Sequence, residues 1–521
     1  MLNRRKFLET GGAAALFTAL GARRAGAFIP AHNWEKYDFG SGPQVSDRLY
    51  QGPFPQYPPE EVLPGSSVIM TTNPSSEIVP NFGMGLTVYI SGDFWPPRTQ
   101  GDSIGKYCED LIKLPFAQKV YIRLNWRDIQ KRPGRLDFPE GWKVTFDLAG
   151  RYNKRVGFRI MLENPDFPEP GMPEFLMDKV PYVKLKGEWK RHADDVRSRK
   201  EHRMPRYDHP AYQAAFRELN ELLARELDGN PAVEYMDTFM YGFWGEGHTW
   251  PYENHPFPDN SVAEETWMRM METQLEIWKR TPLVTNTQPD FSRVGNSEML
   301  DRTIRAHNWI RTDTIFIENE QIEALSNRPP WIAAICESGM PTDLTRLLEQ
   351  DEDGLTHTEN IIDHVMDVGA NYWSLWNFHN ISAKNVLIFY EKHPDPVDRI
   401  ARRIGYRIRP SWIWGFEKDG VPGLVLGLVN DGIASVPGVL RVTVFSDDGA
   451  VNVSGCLDPG YPMTAGVRQA MLKLPGGRDW KGLKLKAELE VKGVRYPVVW
   501  ACRQKLNADG SLTLRPTRGV G

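Results

Sequence analysis

From about Gly83 onward, short apolar runs bounded by turn residues alternate with longer stretches whose apolar positions recur at helical spacing. The runs at 86–90, 120–124, 156–162, 233–240, 283–286, 314–317, 332–336 and 371–375 predict eight strands. The segment leading into the fourth shows the helical pattern. After Asp208-His209-Pro210, the apolar residues Tyr212, Phe216, Leu219, Leu223 and Leu227 lie on one face, and Asp228-Gly229-Asn230-Pro231 stops the helix. Strand followed by helix, repeated eight times, predicts a closed parallel (β/α)8 barrel over 84–405. Beyond 406 the helical period disappears. Runs at 412–417, 424–429, 440–445, 471–474 and 483–491 are punctuated by Lys418-Asp419-Gly420, Asn430-Asp431-Gly432 and Asp447-Asp448-Gly449. Turn-linked short strands at this density predict a small antiparallel β-sandwich over 406–521. The fold class is thus α/β, a TIM barrel followed by a β domain.

Ahead of the barrel, residues 28–83 are rich in Pro, Gly and Ser and read as an extended lead-in. Residues 1–27 carry Asn3-Arg4-Arg5-Lys6-Phe7-Leu8, a weakly apolar stretch and the small-residue site Ala25-Gly26-Ala27. This is the pattern of a twin-arginine export signal, which predicts a periplasmic or secreted protein. No stretch reaches the roughly 20 apolar residues that span a bilayer, so no integral membrane segment is expected in the mature chain. A charged insertion at 179–206 follows the third strand, as surface or as a wall of the site.

A net charge of -4 and a pI near 6.3 give no general attraction to nucleic acid. The 17 tryptophans suit a cleft in which sugar faces stack on indole rings, although core packing must account for many of them. Four cysteines with no C-x-x-C pair exclude a disulfide scaffold and a metal finger. Cys456 and Cys502 could pair in an oxidising compartment or remain free.

Two carboxylates stand out at strand ends. Glu246 lies in Tyr241-Gly242-Phe243-Trp244-Gly245-Glu246-Gly247-His248, where flanking glycines leave the backbone unshielded beneath aromatics. Glu337 ends an apolar run and precedes Ser338-Gly339. A pair of carboxyl groups at the C-terminal face of a barrel is the equipment of glycosidic bond cleavage, one protonating the leaving oxygen and the other attacking or activating water. Glu318 and Glu320 after the sixth run are rivals for the second carboxylate. Glu163 could hold a sugar hydroxyl or pair with Arg159, His248 could hydrogen-bond substrate or tune Glu246, and His379 and Asn380 could reach the cleft. His357 and His364 lack the H-E-x-x-H arrangement, and no metal site is expected. No dinucleotide, P-loop or nucleophile-elbow motif appears, so no cofactor is expected. Two other classes stay open: a catalytically silent carbohydrate-binding barrel and a periplasmic oxidoreductase.

The stretch Tyr121-Ile122-Arg123-Leu124-Asn125-Trp126-Arg127-Asp128-Ile129, the turn Pro133-Gly134-Arg135 with Phe138, the run Arg155-Val156-Gly157-Phe158-Arg159-Ile160 and the Trp244-Gly245-Glu246 end resemble clan A glycoside hydrolases, particularly β-galactosidase-like barrels. The resemblance covers roughly 82–390. It implies that Glu246 is the acid/base and Glu337 the nucleophile of a retaining hydrolase of oligo- or polysaccharides, with Arg123 beside the nucleophile and Trp373 or Trp376 as the sugar platform. Asn125, Trp126, Glu163, Trp244, His248, Glu318 and His379 complete the expected substrate-binding set. One departure concerns the residue before the acid/base. Many clan members have Asn there, and this chain has Gly245, so either the sugar's 2-hydroxyl is held otherwise, by Asn125 or His248, or the chain is a diverged member.

Overall fold

The computed structural model describes residues 67–90, 103–165, 170–189, 199–287, 296–314, 325, 328–337, 357–374, 390–391, 394–457, 468–475 and 478–516. The expectations for 1–66 and for Glu318, Glu320, Trp376, His379 and Asn380 lie outside these residues. Strand β1 is Ser67–Thr71. The next strands are β2 (Gly85–Ile90), β3 (Lys119–Asn125) and β4 (Val156–Met161), followed by β5 (Tyr182–Trp189) and β6 (Arg199–Pro205). Then come β7 (Val233–Asp237), β8 (Leu283–Asn286), β9 (Trp309–Thr314), β10 (Ala334–Glu337) and β11 (Tyr372–Ser374).

Eight of these, β2, β3, β4 and β7 to β11, close into a barrel through parallel pairs. Helices cover its outside. One of them, Pro210–Leu227, starts on a proline at its first turn, where no amide hydrogen bond is lost, and its buried face carries the apolar residues read from the sequence. Asn260–Ile277 is capped by Asp259, whose side chain accepts from the amide of Val262.

Successive strand residues point to opposite sides, and the core splits accordingly. Leu86, Val88, Val120, Ile122, Leu124, Phe158, Ile160, Ile310 and Cys336 face the helices. Tyr89, Tyr121, Tyr235, Val284, Trp309, Ile335 and Tyr372 fill the interior. Tyr235 packs edge-on to Tyr372 with ring centroids 5.2 Å apart. Gly157 is required here, because a Cβ would stand 2.6 Å from the Tyr235 ring.

The β domain is built from β12 (Ile408–Lys418), β13 (Val421–Asn430), β14 (Val439–Phe445), β15 (Asn452–Leu457), β16 (Arg468–Lys473), β17 (Lys484–Val491), β18 (Val494–Val498) and β19 (Leu512–Thr513). They form two antiparallel sheets, β1-β12-β13-β16 and β15-β14-β17-β18 with β19 beside β17. Strand β1 comes from the end of the segment read as an extended lead-in. Ser67 to Thr71 pairs antiparallel with Trp412 to Gly415 of β12, so this end of the lead-in belongs to the β domain. The apolar faces of both sheets merge with the barrel interior at the N-terminal ends of its strands. Phe82 stacks on Tyr496 at 3.5 Å, and Lys492 donates to the carbonyls of Trp278 and Thr281 and to Asn308 Oδ1. Beneath the barrel, buried Glu234 accepts from Lys119 Nζ, the amide of Gly83 and the Tyr372 hydroxyl. This end is closed by packing, which leaves the C-terminal ends of the strands for chemistry.

Among the described residues no helix is long and apolar enough to cross a membrane, and no group of His, Cys, Asp or Glu could hold a metal ion. All four cysteines are free.

Candidate active site

The same two-residue period that builds the interior places charge above it. Two positions beyond Tyr121, Gly157, Tyr235, Trp309 and Ile335 stand Arg123, Arg159, Asp237, Arg311 and Glu337, all buried. Arg123 and Arg159 are direct neighbours across β3 and β4. Buried charges of this kind persist only when paired.

Glu246 reaches the same layer from the loop after β7. The loop folds back on itself: the amide of Met240 donates to Gly245 O, Phe243 to His248 O, Glu246 to Phe243 O and Gly247 to Tyr241 O. Gly242 and Gly245 have φ of 84° and 81°, and a Cβ on Gly242 would stand 2.5 Å from the carbonyl oxygen of His248. Trp244 takes a φ of 52° without being glycine, a conformation costing about 1–2 kcal/mol. Its amide donates to Glu163 O and its carbonyl accepts from Arg159. The Trp244 indole lies 5.5 Å from the His248 ring, and His248 Nε2 is 3.5 Å from Glu246 Oε2.

Three guanidinium groups and three carboxylates interlock. Arg159 donates through Nε and Nη2 to Asp237 Oδ2 at 3.2 and 2.9 Å, and through Nη1 to Glu246 Oε1 at 2.7 Å. Arg311 donates through Nη1 to Glu246 Oε1 and through Nη2 to Glu337 Oε2, both at 3.0 Å. Arg123 Nη2 donates to Glu337 Oε1 at 3.3 Å and its guanidinium lies 5.0 Å from the Tyr89 ring centre. Tyr121 donates its hydroxyl to Asp237. Burial pushes the Asp237 carboxyl up from its ordinary range, with Arg159 the strongest influence in the other direction. Burial also raises the Tyr121 hydroxyl well above its usual value, so it remains a donor. Formal charge in the six-membered cluster cancels when all its carboxyls are ionised.

The structure therefore brings Glu246, Glu337, Arg123, Trp244 and His248 together. Other expected contacts are placed elsewhere. Glu163 is fully buried and tied to the amides of Gly171 and Asn164 and to His202 Nε2, not to Arg159. Trp126 is wholly inside, donating to Gln130 and edge-on to Tyr212. Trp373 stands in register with Leu86 and Cys336, which face the helices, so its indole is core and Tyr372 is the inward residue. Asn125 alone of these shares a strand face with Arg123, one step further toward the C-terminal end of β3, where it is buried and donates to Asp128 at 2.9 Å.

Arg159 as a site residue, Asp237, Arg311 and His202 were not anticipated. The signal for three of them was present in the sequence as charge inside a strand, since Arg and Asp are almost never buried without a partner. The charged insertion forms the hairpin β5-β6, which His202 pins to Glu163. It also docks on the loop beyond Glu246, where Asn254 bonds Lys184 O and the Lys186 amide.

No family model and no curated protein matches the chain. Among solved structures it is similar to endo-glycoceramidase II from Rhodococcus sp., as the lactosyl-enzyme intermediate, at 11% identity over 79% of this chain and 100% of that chain, with a TM-score of 0.37. It is similar to the catalytic domain of a beta-amylase from Paenibacillus polymyxa at 9% identity over 59% and 97%, TM-score 0.38. A GH5_18 protein from Streptomyces cattleya in complex with GlcNAc gives 10% identity over 56% and 70%, TM-score 0.33. Each is a distant likeness, and the barrel itself stands on the strand pairing described above.

Proposed function

We propose that the chain is a glycoside hydrolase that cleaves O-glycosidic bonds of oligo- or polysaccharides with retention of configuration. The observation that carries this reading is the pair Glu246 and Glu337 at the C-terminal face of the barrel, held by one guanidinium. Carboxylates that both reach a single Arg311 suit the closer spacing of retaining enzymes, about 5 to 5.5 Å, better than the wider gap that admits a water.

Glu246 acts as acid and then as base, and Glu337 attacks the anomeric carbon. Oε1 of Glu246 is committed to Arg159 and Arg311, which leaves Oε2, on the His248 side, to carry the proton. Arg123 and Arg311 each hold one oxygen of Glu337 and orient the carboxylate for attack. Trp244, strained and set against His248, supplies an aromatic face beside the acid, consistent with the placement of strain at binding sites. The twin-arginine pattern supports action outside the cytoplasm, and a β-galactoside is the first substrate to try.

Glu246→Gln and Glu337→Gln, assayed on aryl glycosides of graded leaving-group ability, test the roles. Glu246→Gln should lose about 10²- to 10⁴-fold on poor leaving groups and much less on good ones. Glu337→Gln should lose turnover on all of them. Near-wild-type rates in both variants would sink the assignment, and oligosaccharide binding without hydrolysis in the unaltered protein would favour a silent binding barrel.

A further inference from the structure

Each carboxylate of the pair has a guanidinium of its own: Arg123 bonds Glu337 and not Glu246, and Arg159 bonds Glu246 and not Glu337. Arg311 is different. It sits on β9, is 4% exposed, and donates one N–H to each carboxylate at the same 3.0 Å. Building on the glycosidase reading, we infer that Arg311 is a positioning residue that passes its charge support from Glu337 to Glu246 as the glycosyl-enzyme forms, and back as it breaks down.

The charge movement follows from the chemistry. In the first half-reaction, Glu246 gives its proton to the glycosidic oxygen. The carbon–oxygen bonding pair leaves with that oxygen, and a Glu337 oxygen bonds the anomeric carbon. Glu337 begins as an anion and ends as a neutral ester, while Glu246 begins neutral and ends as an anion. One negative charge has moved between two groups that both touch Arg311. In the second half-reaction, water bonds the anomeric carbon and gives a proton to Glu246, the ester bond breaks, and the anion returns to Glu337. A guanidinium already bonded to both groups meets the charge in either location without moving, which is the condition for preorganised electrostatic stabilisation. A planar fork suits this task, whereas a lysine ammonium is a single point of charge.

The shared position predicts that both half-reactions depend on Arg311. The test uses three glycosides, β-D-galactopyranoside, β-D-glucopyranoside and β-D-mannopyranoside, each with a phenyl and a 2,4-dinitrophenyl leaving group, on wild type, Arg311→Gln, Arg311→Lys and Arg311→Ala. Phenoxide needs the proton of Glu246, so its single-turnover rate reads the first half-reaction, and the dinitrophenyl steady-state rate reads the second. For Arg311→Gln, the single-turnover rate on the phenyl glycosides and the steady-state rate on the dinitrophenyl glycosides should each fall about 100-fold, with KM changed far less. Arg311→Lys should recover little. Added guanidinium chloride, well below denaturing concentration, should restore part of the Arg311→Ala rate, which a merely structural loss would not allow. Loss in only one of the two phases, rates within about threefold of wild type, or no rescue in a folded Arg311→Ala protein would overturn the inference. If the wild type is active and Arg311→Gln is unaffected, only this inference fails. A wild type inactive on all three glycosides removes the glycosidase reading and the inference with it.

Discussion

Replacing Arg159 with methionine keeps the apolar stem and removes three donated hydrogen bonds to Asp237 and Glu246, together with the one to Trp244 O. Glu246 would still have Arg311. Asp237 would keep only the Tyr121 hydroxyl and an Arg311 Nε at 3.7 Å, at a site where it is 2% exposed. Removing one partner of a buried ion pair costs about 3–5 kcal/mol, mostly as the penalty on the charge left behind. The penalty should depend on pH. The Asp237 carboxyl is raised in the fold, so its native state binds a proton that the unfolded chain has lost. Its contribution to stability is fully present below the unfolded value of about 3.9 and disappears as pH rises through the folded value. Without Arg159 the folded value moves further up. The deficit of the variant relative to wild type should therefore grow across the interval between the two folded values and level off above it. Urea unfolding of both proteins in pH steps upward from the unfolded carboxylate value reads this directly, with the larger deficit expected at the higher pH. Adding Asp237→Asn to Arg159→Met should recover much of the loss. A deficit below about 1 kcal/mol, or one that does not change with pH across the series, would refute the view of Arg159 as the counter-charge of Asp237.

Gly242→Ala should strain the turn by about 1–3 kcal/mol and move His248 and Glu246. Activity should fall much more than the midpoint of unfolding, as kinetics and thermal melts would show. Glu163→Ala removes the acceptor of His202 and of the Gly171 and Asn164 amides. Amide hydrogen exchange in β5 and β6 should speed up while the barrel strands stay protected. Lys492 is pushed down to about 8 by burial, below its unfolded value of about 10.4, so charging it opposes folding at neutral pH. Wild-type stability should rise relative to Lys492→Met by about 2 kcal/mol between these values, measured by urea unfolding at pH steps.

Much of the barrel is legible from apolar runs because seven of the expected strands are continuous enough to stand out. The sixth is the exception. The sequence Trp309-Ile310-Arg311-Thr312-Asp313-Thr314 follows two apolar residues with four polar ones, too much polarity to register as an apolar run, and the apolar pattern points to 314–317 instead. That displacement hid Arg311, since a functional strand breaks the hydrophobic rule where it carries charge. Trp373 illustrates the opposite problem. Its position on the eighth strand was legible, but only its register with Leu86 and Cys336 tells that it points outward. The hold of Asp237 on Arg159 depends on adjacency across strands and on a loop far along the chain, which no local pattern encodes. Strand β1 escaped notice because its partner, β12, lies more than three hundred residues away, and five residues cannot form a sheet alone.

The most direct test of the two-glutamate reading is mass spectrometry of the protein after incubation with 2,4-dinitrophenyl 2-deoxy-2-fluoro-β-D-galactoside and its gluco and manno counterparts. The fluorine slows breakdown of a covalent intermediate, so a nucleophile becomes visible as a labelled peptide. One fluoroglycosyl group on the peptide carrying Glu337, absent from Glu337→Gln and released on turnover, is the predicted result. A label on any other carboxylate, or none in a protein that hydrolyses the parent glycosides, would contradict it.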